Sequence, residues 1–568
     1  MTAIGLIAAA AGALVLVAGR LHFMLHLFQL EHYEAARLRV WVERRSARVD
    51  ATLLALCAAA GASLTLVAAL DADVLVLILG VAAGVVLAGM GHRTLRRPQT
   101  KPLVFTARAR RLFAVALAIP ALVLVVAAVV VLAGAPAWVA ALVGTATVLL
   151  SIVGAPELLF AADTAVRPIQ NLDNRRFVQR ARRRLDEISP LVVGITGSFG
   201  KTTTKACVAA VTELRGHAYA TPASYNTYLG VVRAINEGLT AKHRTFIAEM
   251  GAYRRDDVAE LCELVRPRIG VLTAIGPAHL ERFGSLDEIE RAKGELAEGV
   301  PADGVFITTA DDERCLRAAG RTEARVVLFS ATGSPDAQLT AHDIEMAEGT
   351  TRFTLRRGTG EGAEDAVVRS RLLGRHNVAN LLAAAAVGIS MDLGTDAIAR
   401  ALARVTPPAH RLAPILNRQA GIVVIDDAYN SNPVGAAAAL EVLASHEAER
   451  RLLVTPGMVE LGDREAEENE RFGTQAAAVC DLVVLVGDER SRPIRAGLAA
   501  ASFPEERIHV VANSSEAEAL LAKTTRRGDV VLFENDLPDL YAEGDAAAQA
   551  WLGGRRLGNG SGSMFPRR

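Results

Sequence analysis

Polar positions all but vanish over long stretches in the first third of the chain. Met1 to Gly19, Ala51 to Leu70 and Val74 to Gly91 are uncharged apolar runs of 19, 20 and 18 residues. Each is near the roughly 20 residues a helix needs to cross the hydrocarbon core of a bilayer. Leu112 to Pro156 carries no charge over 45 residues, which as helix would reach about 67 Å, twice the thickness of that core. Such a run must turn back, and Gly134-Ala135-Pro136 supplies the break, because proline lacks a backbone donor and pushes its predecessor out of the helical region. The pattern predicts five spans within residues 1–156. After residue 188 the apolar runs shorten. Leu191 to Thr196 reads as a buried strand, glycines at 194, 197 and 200 form a turn, and a helix rich in alanine and valine follows from Thr202. The runs ending RTFIAE and IGVLTAIGPAH continue the strand rhythm. From about Pro408, strands VVIDDAY, LLVTPG, LVVLVG and VVLFEN alternate with alanine-rich helices.

Charge orients the apolar runs. Arg20, Arg37, Arg39, Arg44, Arg45 and Arg48 follow the first run and seven basic residues lie between Arg93 and Arg111, while the connectors near Asp71 and Gly134 carry none. Basic residues beside spans favour the cytoplasmic side, which predicts an N-terminus outside and everything after about residue 157 in the cytoplasm. A cleaved signal peptide competes for the first run, but that run lacks a basic leader and four further spans would hold the chain in the membrane. His22 and His26 stand four apart, a spacing that could chelate a metal. The plainer reading of HFMLHLFQLEHYEAARLRVW is an amphipathic helix at the cytoplasmic interface. An arginine-rich segment over 157–187 reads as a helical linker.

Composition adds limits rather than detail. At 568 residues the chain needs several cores. Its 62 basic and 62 acidic residues give no case for nucleic acid. Five cysteines at 57, 207, 262, 315 and 480 show no paired spacing, which predicts reduced structural thiols rather than disulfides or a zinc site. The mean hydropathy of +0.27 is carried almost wholly by the residues before 157.

The stretch VVGITGSFGKTTTK joins a strand to a helix through closely spaced glycines. Such a loop turns backbone N–H groups toward phosphates at a helix N-terminus, with Lys201 as a point charge and the Thr202 hydroxyl available to a Mg²⁺ shell. Gly197, Ser198, Gly200, Lys201, Thr202 and Thr203 form the predicted ATP-phosphate set. The spacing is GxxGxxGKT, since Ile195 stands where a strict phosphate-loop motif has glycine. Glu249 and His279 close the next two strand-like runs, and in an open parallel sheet such positions converge on the loop. Taken alone, each reads equally well as a cap or a satisfied structural group. Lys293 in RAKGEL would by itself read as a solvated helix lysine.

GITGSFGKTTTK, NTYLGV, EMGA, AHLERFGS, AKGEL, GRHNVAN and DDAYNSNP occur in that order. On these motifs, over about residues 188–535, the chain resembles the Mur ligases, most closely the branch that acts on UDP-MurNAc-tripeptide and D-alanyl-D-alanine. The resemblance implies a P-loop ATPase-like central domain over 188–407 and a Rossmann-like C-terminal domain over 408–557, ahead of a glycine- and serine-rich tail at 558–568. It implies ATP and Mg²⁺ as cofactors. Thr202 and Glu249 would serve a first metal, and Glu249, His279 and a CO₂-carbamylated Lys293 a second. Asn226 would lie near the reacting carboxylate, Asn380 at the adenine, Arg411 at the phosphates and Asp427 at the ribose. Tyr429, Asn430 and Asn432 would shape the site of the incoming amine, although DDAYNSNP also reads as a strand running into an Asx turn. The implied reaction is ADP-forming amide synthesis through an acyl phosphate.

Two departures bear on the substrate. Five apolar runs and a basic linker stand where the soluble members carry a domain for the UDP end of the sugar nucleotide, and the acidic FENDLPDLYAE stands where a basic KGSR-like stretch is expected. The expected protein is therefore a multi-pass inner-membrane ligase joining a carboxylate to an amino-acid or peptide amine on a cell-envelope precursor. An ATP-driven transporter is the alternative. The near absence of charge inside the spans and the presence of AKGEL and DDAYNSNP count against it.

Overall fold

The computed structural model describes all residues except 1, 32, 37, 40, 41, 43–50, 71, 96–102, 224, 348, 430 and 536–568. Arg37, Arg44, Arg45, Arg48, Asp71, Asn430, the acidic stretch beyond Asn535 and the tail at 558–568 lie outside the described residues. The chain divides into two compact units, one built on Met1–Asn174 and the other on Arg175–Leu537.

The first unit is all helix: Thr2–Leu30, Ala51–Ala69, Asp73–Leu95, Ala107–Leu132 and Ala137–Val153, followed by the start of Ala155–Ile188. Four helices are long and apolar enough to cross a membrane, and five if the last pair, bent by 81° at Gly154, counts as one span. The long uncharged run breaks where proline and glycine predict, with Gly134 at φ +102 between Leu132 and Ala137. The basic segment is helical as expected. One expectation is corrected. Residues 20–30 belong to no separate interfacial helix; they continue the first helix to Leu30, with Leu21, Met24, Leu25, His26 and Phe28 buried against Ala109, Leu112, Ala116 and Leu159, and the rest of that stretch is only partly among the described residues. The apolar partner surface sets the helix length, a signal a local window cannot see.

Helices Thr2–Leu30 and Asp73–Leu95 meet backbone to backbone. A Cβ on Gly12 would lie 2.0 Å from the Gly84 carbonyl oxygen, one on Gly5 2.4 Å from that of Val76, and one on Gly91 2.4 Å from that of Val15. Small residues permit this approach of the two backbones.

The second unit holds two sheets. The larger has nine strands in the order β2-β3-β1-β4-β5-β6-β7-β8-β9. Their ranges are β1 Leu191–Thr196, β2 Ala218–Ala220, β3 Thr245–Glu249, β4 Ile269–Leu272, β5 Val305–Thr309, β6 Arg325–Ser330, β7 Leu339–Ala347, β8 Thr350–Arg357 and β9 Glu364–Ser370. Strands β1 to β7 pair in parallel, and β8 and β9 extend the sheet antiparallel. Helix Arg375–Ser390 is so closely enclosed that Ala383, Ala384, Ala385 and Ala386 are fully buried. The smaller sheet runs β10-β11-β15-β12-β13-β14. Here β10 is Ala413–Asn417, β11 Ile422–Asp427, β12 Arg450–Thr455, β13 Leu482–Val486, β14 Ile508–Val511 and β15 Asp529–Glu534. The four strands expected in this region are present, joined by β10 and β14. All five cysteines are free and buried. Burial pushes the thiols of Cys207, Cys262 and Cys480 up to about 12, which leaves them unreactive.

Candidate active site

Strand β1 pairs with β3 on one side and β4 on the other, both parallel. The chain therefore leaves the sheet in opposite directions at β1, the place where open α/β sheets gather ligands. The loop beyond β1 is tight. Gly197 has φ +148 and a Cβ there would sit 2.0 Å from Thr273 Oγ1; Gly200 has φ +80 and a Cβ there would sit 2.3 Å from Asn380 Oδ1. Gly194, expected in the turn, lies inside β1 instead, where Met250, Pro267 and Leu296 leave no space for a side chain. Gly200 caps helix Lys201–Thr212 without a side chain, so the first-turn amides stay available to an anion. Ser198 is a brace: its hydroxyl donates to the Gly276 carbonyl and accepts from the Gly276 amide, both at 2.9 Å. Thr203 is buried in the first turn. The Ser198 side chain therefore holds the loop.

Glu249, at the end of β3, is closed off from solvent and ringed by donors. Thr202 Oγ1 donates to it at 3.1 Å, Asn226 Nδ2 at 3.0 Å, and Lys205 Nζ pairs with it at 2.8 Å. Burial alone would push this carboxyl up, but Lys205, Lys201 and Asn226 outweigh it and the net shift is downward. Glu249 is thus a fixed, ionised carboxylate beside the Thr202 hydroxyl. Lys205 escaped the sequence reading, although its place one turn after Lys201 on the same helix was the available signal. It also donates to the Ala223 carbonyl at 2.7 Å. Lys201 Nζ donates to the carbonyls of Gly197 at 2.7 Å and Ser198 at 3.3 Å. Burial, partly opposed by Glu249 and reinforced by Arg411, lowers its pKa to about 8.

His279 does not end a strand; β4 stops at Leu272, and His279 caps the short helix Leu280–Phe283 with φ 56. Its ring lies 5.1 Å from that of Tyr253, and Nδ1 meets Glu460 Oε2 from the loop after β12. Burial lowers its pKa, and although Glu460 opposes this, Lys201 and Lys293 add to it. Lys293, on helix Leu286–Gly299, is 1% exposed, and the reading as a solvated lysine is thereby excluded. Burial first, and the Lys201 charge second, hold its pKa well below the usual lysine range. Among the described residues no group of three or more His, Cys, Asp or Glu forms a metal cluster. The groups that surround Glu249 include the Thr202 hydroxyl and the Lys205 ammonium.

Asn380 lies at the phosphate loop, where its Oδ1 accepts from Thr204 Oγ1 at 3.0 Å and its Nδ2 donates to Asn377 at 2.8 Å. Asn377 in turn donates to the Leu373 carbonyl at 2.7 Å. Desolvation of the half-buried His376 lowers its pKa to about 4. Arg411 lies over the Tyr429 ring at 4.2 Å and its charge is felt at Lys201, which brings the C-terminal domain to the loop. Asp427 accepts from the Leu412 amide at 3.1 Å, and burial raises its pKa to about 6. Asn432 caps a helix: its Oδ1 accepts from Gly435 N at 2.9 Å at the start of helix Pro433–Ser445. Glu534, fully enclosed at the end of β15, accepts from Ser431 and Thr455, and burial pushes it up to about 7.

The Mur ligase middle domain matches residues 195–388, and the Mur ligase glutamate ligase domain matches 410–534. The chain is 36% identical over 371 residues to a UDP-N-acetylmuramoyl-tripeptide–D-alanyl-D-alanine ligase of Mycobacterium leprae, covering 60% of this chain and 70% of the relative. It is 30% identical over 364 residues to the ligase of the same name from Bacillus subtilis, covering 63% of this chain and 75% of the relative. In fold it is similar to MurF ligase from Thermotoga maritima in complex with ADP, with a TM-score of 0.57 and 24% identity over 66% of this chain and 83% of that one. With both domains matched and the glycine loop, Glu249 and a buried Lys293 gathered at one end of the larger sheet, the chain belongs to the Mur ligase family, whose members are ADP-forming ligases that use ATP with Mg²⁺.

Proposed function

We propose that this protein is a membrane-anchored amide ligase. On this reading it activates a carboxylate on a cell-envelope precursor at the cytoplasmic membrane face and joins it to an amino-acid or peptide amine. The observation that carries the reading is Lys293. A lysine enclosed beside another cation is held as the neutral amine, and a neutral amine can add CO₂: an N–C bond forms at Nζ, one N–H proton passes to water, and a carbamate results. That change turns a group that would repel a cation into an oxygen ligand hard enough for Mg²⁺. A transport motor has no use for it, and the family match gives the transporter alternative no support.

The residues fit the metal. Glu249 is ionised beside the Thr202 hydroxyl and suits one position, the remaining ligands coming from phosphate oxygens and water; His279 and carbamylated Lys293 suit the other. When bound, Mg²⁺ supplies charge neutralisation at the triphosphate. The chain's own groups do the rest. First-turn amides and Lys201 hold the phosphates, Arg411 reaches them from the C-terminal domain, and Asn226 orients the acid. A carboxylate oxygen attacks the γ-phosphorus and ADP leaves, giving an acyl phosphate. The amine then attacks the carbonyl carbon, the tetrahedral adduct expels phosphate, and the amine gives up a proton as the amide forms. Asp427 is assigned to the ribose and Tyr429 to the incoming amine. The outward-facing apolar side chains of the helical unit support a bilayer as its surroundings, with the ligase domains on the cytoplasmic side. The acid on this reading is a UDP-linked, lipid-linked or polymeric envelope precursor reached from the membrane face.

Oxygen-18 placed in the substrate carboxylate should appear in released phosphate, and hydroxylamine should trap the activated acid as a hydroxamate. ATP cleavage with neither product would defeat the proposal.

A further inference from the structure

Glu460 belongs to the C-terminal domain, yet its side chain ends on a residue of the middle domain 181 positions earlier. The segment that carries it is anchored in its own domain. Met458, Val459 and Leu461 are buried, Met458 N donates to Asn469 Oδ1 at 2.8 Å, and Asn469 Nδ2 returns a hydrogen bond to the Met458 carbonyl at 3.0 Å. Glu460 projects from this anchored turn. Its carboxylate meets His279 Nδ1 with one oxygen and lies 3.8 Å from Arg282 with the other, while its carbonyl oxygen is 3.4 Å from Glu281 N. Both partners hold left-handed backbone conformations, φ 64 at Glu460 and φ 56 at His279. Such conformations are unfavourable for residues with a Cβ and persist where the surroundings impose them.

An ionised carboxylate only accepts hydrogen bonds, so the imidazole nitrogen facing it must carry the hydrogen. Holding Nδ1–H in this way leaves the lone pair of the neutral ring on Nε2 and fixes the direction in which that nitrogen points. Carboxylates play this part behind metal-bound histidines generally, and their removal weakens the metal by about 10- to 100-fold.

We infer that Glu460 is a positioning residue for His279, so that the metal position served by His279 is complete only when the C-terminal domain is seated on helix Leu280–Phe283. The inference rests on the assignment of His279 as a metal ligand made above. It ties domain closure to the metal site, because the ligand lies in one domain and the group that orients it in the other. Activation of the acid is thereby held back until the domain assigned to the amine is in place.

The test counts metal ions rather than turnover. Full-length protein in detergent with a non-hydrolysable ATP analogue is titrated with Mn²⁺, and free Mn²⁺ is followed by electron paramagnetic resonance. The parent should bind two ions per nucleotide. Glu460→Ala should weaken one of them by about 10- to 100-fold and leave the other and nucleotide affinity unchanged. His279→Ala should weaken the same ion, and the double variant no further. Glu460→Gln, whose carbonyl oxygen can still accept from Nδ1–H, should lose less than about tenfold and serves as the folded control. Two ions bound by Glu460→Ala as tightly as by the parent would overturn the inference, as would a parent that binds a single ion. Oxygen-18 transfer in the parent judges the ligase reading separately.

Discussion

Leu122 and Leu150 of the helical unit are 65% and 72% exposed, whereas Phe246, Phe306 and Phe353 of the α/β unit are closed off from solvent. The contrast extends to what each unit keeps inside. Helices Thr2–Leu30 and Asp73–Leu95 approach one another closely at Gly5, Gly12, Gly80, Gly84 and Gly91, while the ends of the parallel strands enclose Glu249, Lys205 and Lys293. A chain in water hides its apolar groups and buries charge only where that charge acts. A chain in hydrocarbon gains nothing by hiding leucine and is held together by close backbone packing. On the membrane-anchored reading proposed above, one polypeptide is suited to two solvents, and the change falls within the segment that joins the units.

That contrast can be broken at several points. Lys293→Ala should reduce amide formation by about 1,000-fold or more, the scale of losing a group that organises charge at the reacting atoms. Excess formate or acetate should restore part of it, and the protein should still sediment with membranes; normal turnover in the variant would remove the carbamate from the mechanism. Gly12→Leu should act in the opposite sense, costing the helical unit about 3 kcal/mol or more through overpacking, read as lost extraction yield and a lower melting temperature in detergent. Leu122→Arg and Leu214→Arg compare two exposed leucines, 65% and 43% accessible. The first should cost about 3 kcal/mol in membrane insertion and the second less than about 0.5 kcal/mol in folding. Equal effects in an insertion assay would mean that the helices do not face lipid.

A further effect concerns pH. Glu534, with a pKa raised to about 7 by burial, favours the folded state when protonated. Its stabilisation is full below the unfolded carboxyl pKa of about 4.5, declines as pH rises, and is gone above about 7. Glu534→Gln should therefore melt higher than the parent at pH 8, by about 1 to 3 kcal/mol, and no higher at pH 4. Asp427, raised to about 6, adds to the decline in both proteins.

Some of this could be read without the structure. The glycines at 197 and 200 carry their meaning locally, because only a turn at a helix start requires them at that spacing, and Gly134-Ala135-Pro136 likewise breaks a run too long to span once. Lys205 was within reach, one helical turn beyond Lys201. Glu460 was not. Its partner is 181 residues away, and nothing in its own neighbourhood distinguishes it from a surface glutamate. Lys293 shows the same limit from the other side, since burial at 1% exposure is a property of the assembled core and not of a charged helix. Strands β7 to β9 escaped the reading because they extend the sheet with half-exposed, polar-rich segments such as TRFTLRR, whose apolar side chains find their partners only across the fold.

The glycine contact between helices Thr2–Leu30 and Asp73–Leu95 has a mechanical corollary. Machines that carry solutes across membranes rock or slide their helices past one another. Here Gly12 sits so near the Gly84 carbonyl that a methyl group would come within 2.0 Å of it, and displacement along the axis would bring Ala8 or Leu16, one turn away on the same face, into that gap. The two helices are keyed like a shaft in its slot, suited to bearing a load and not to shuttling.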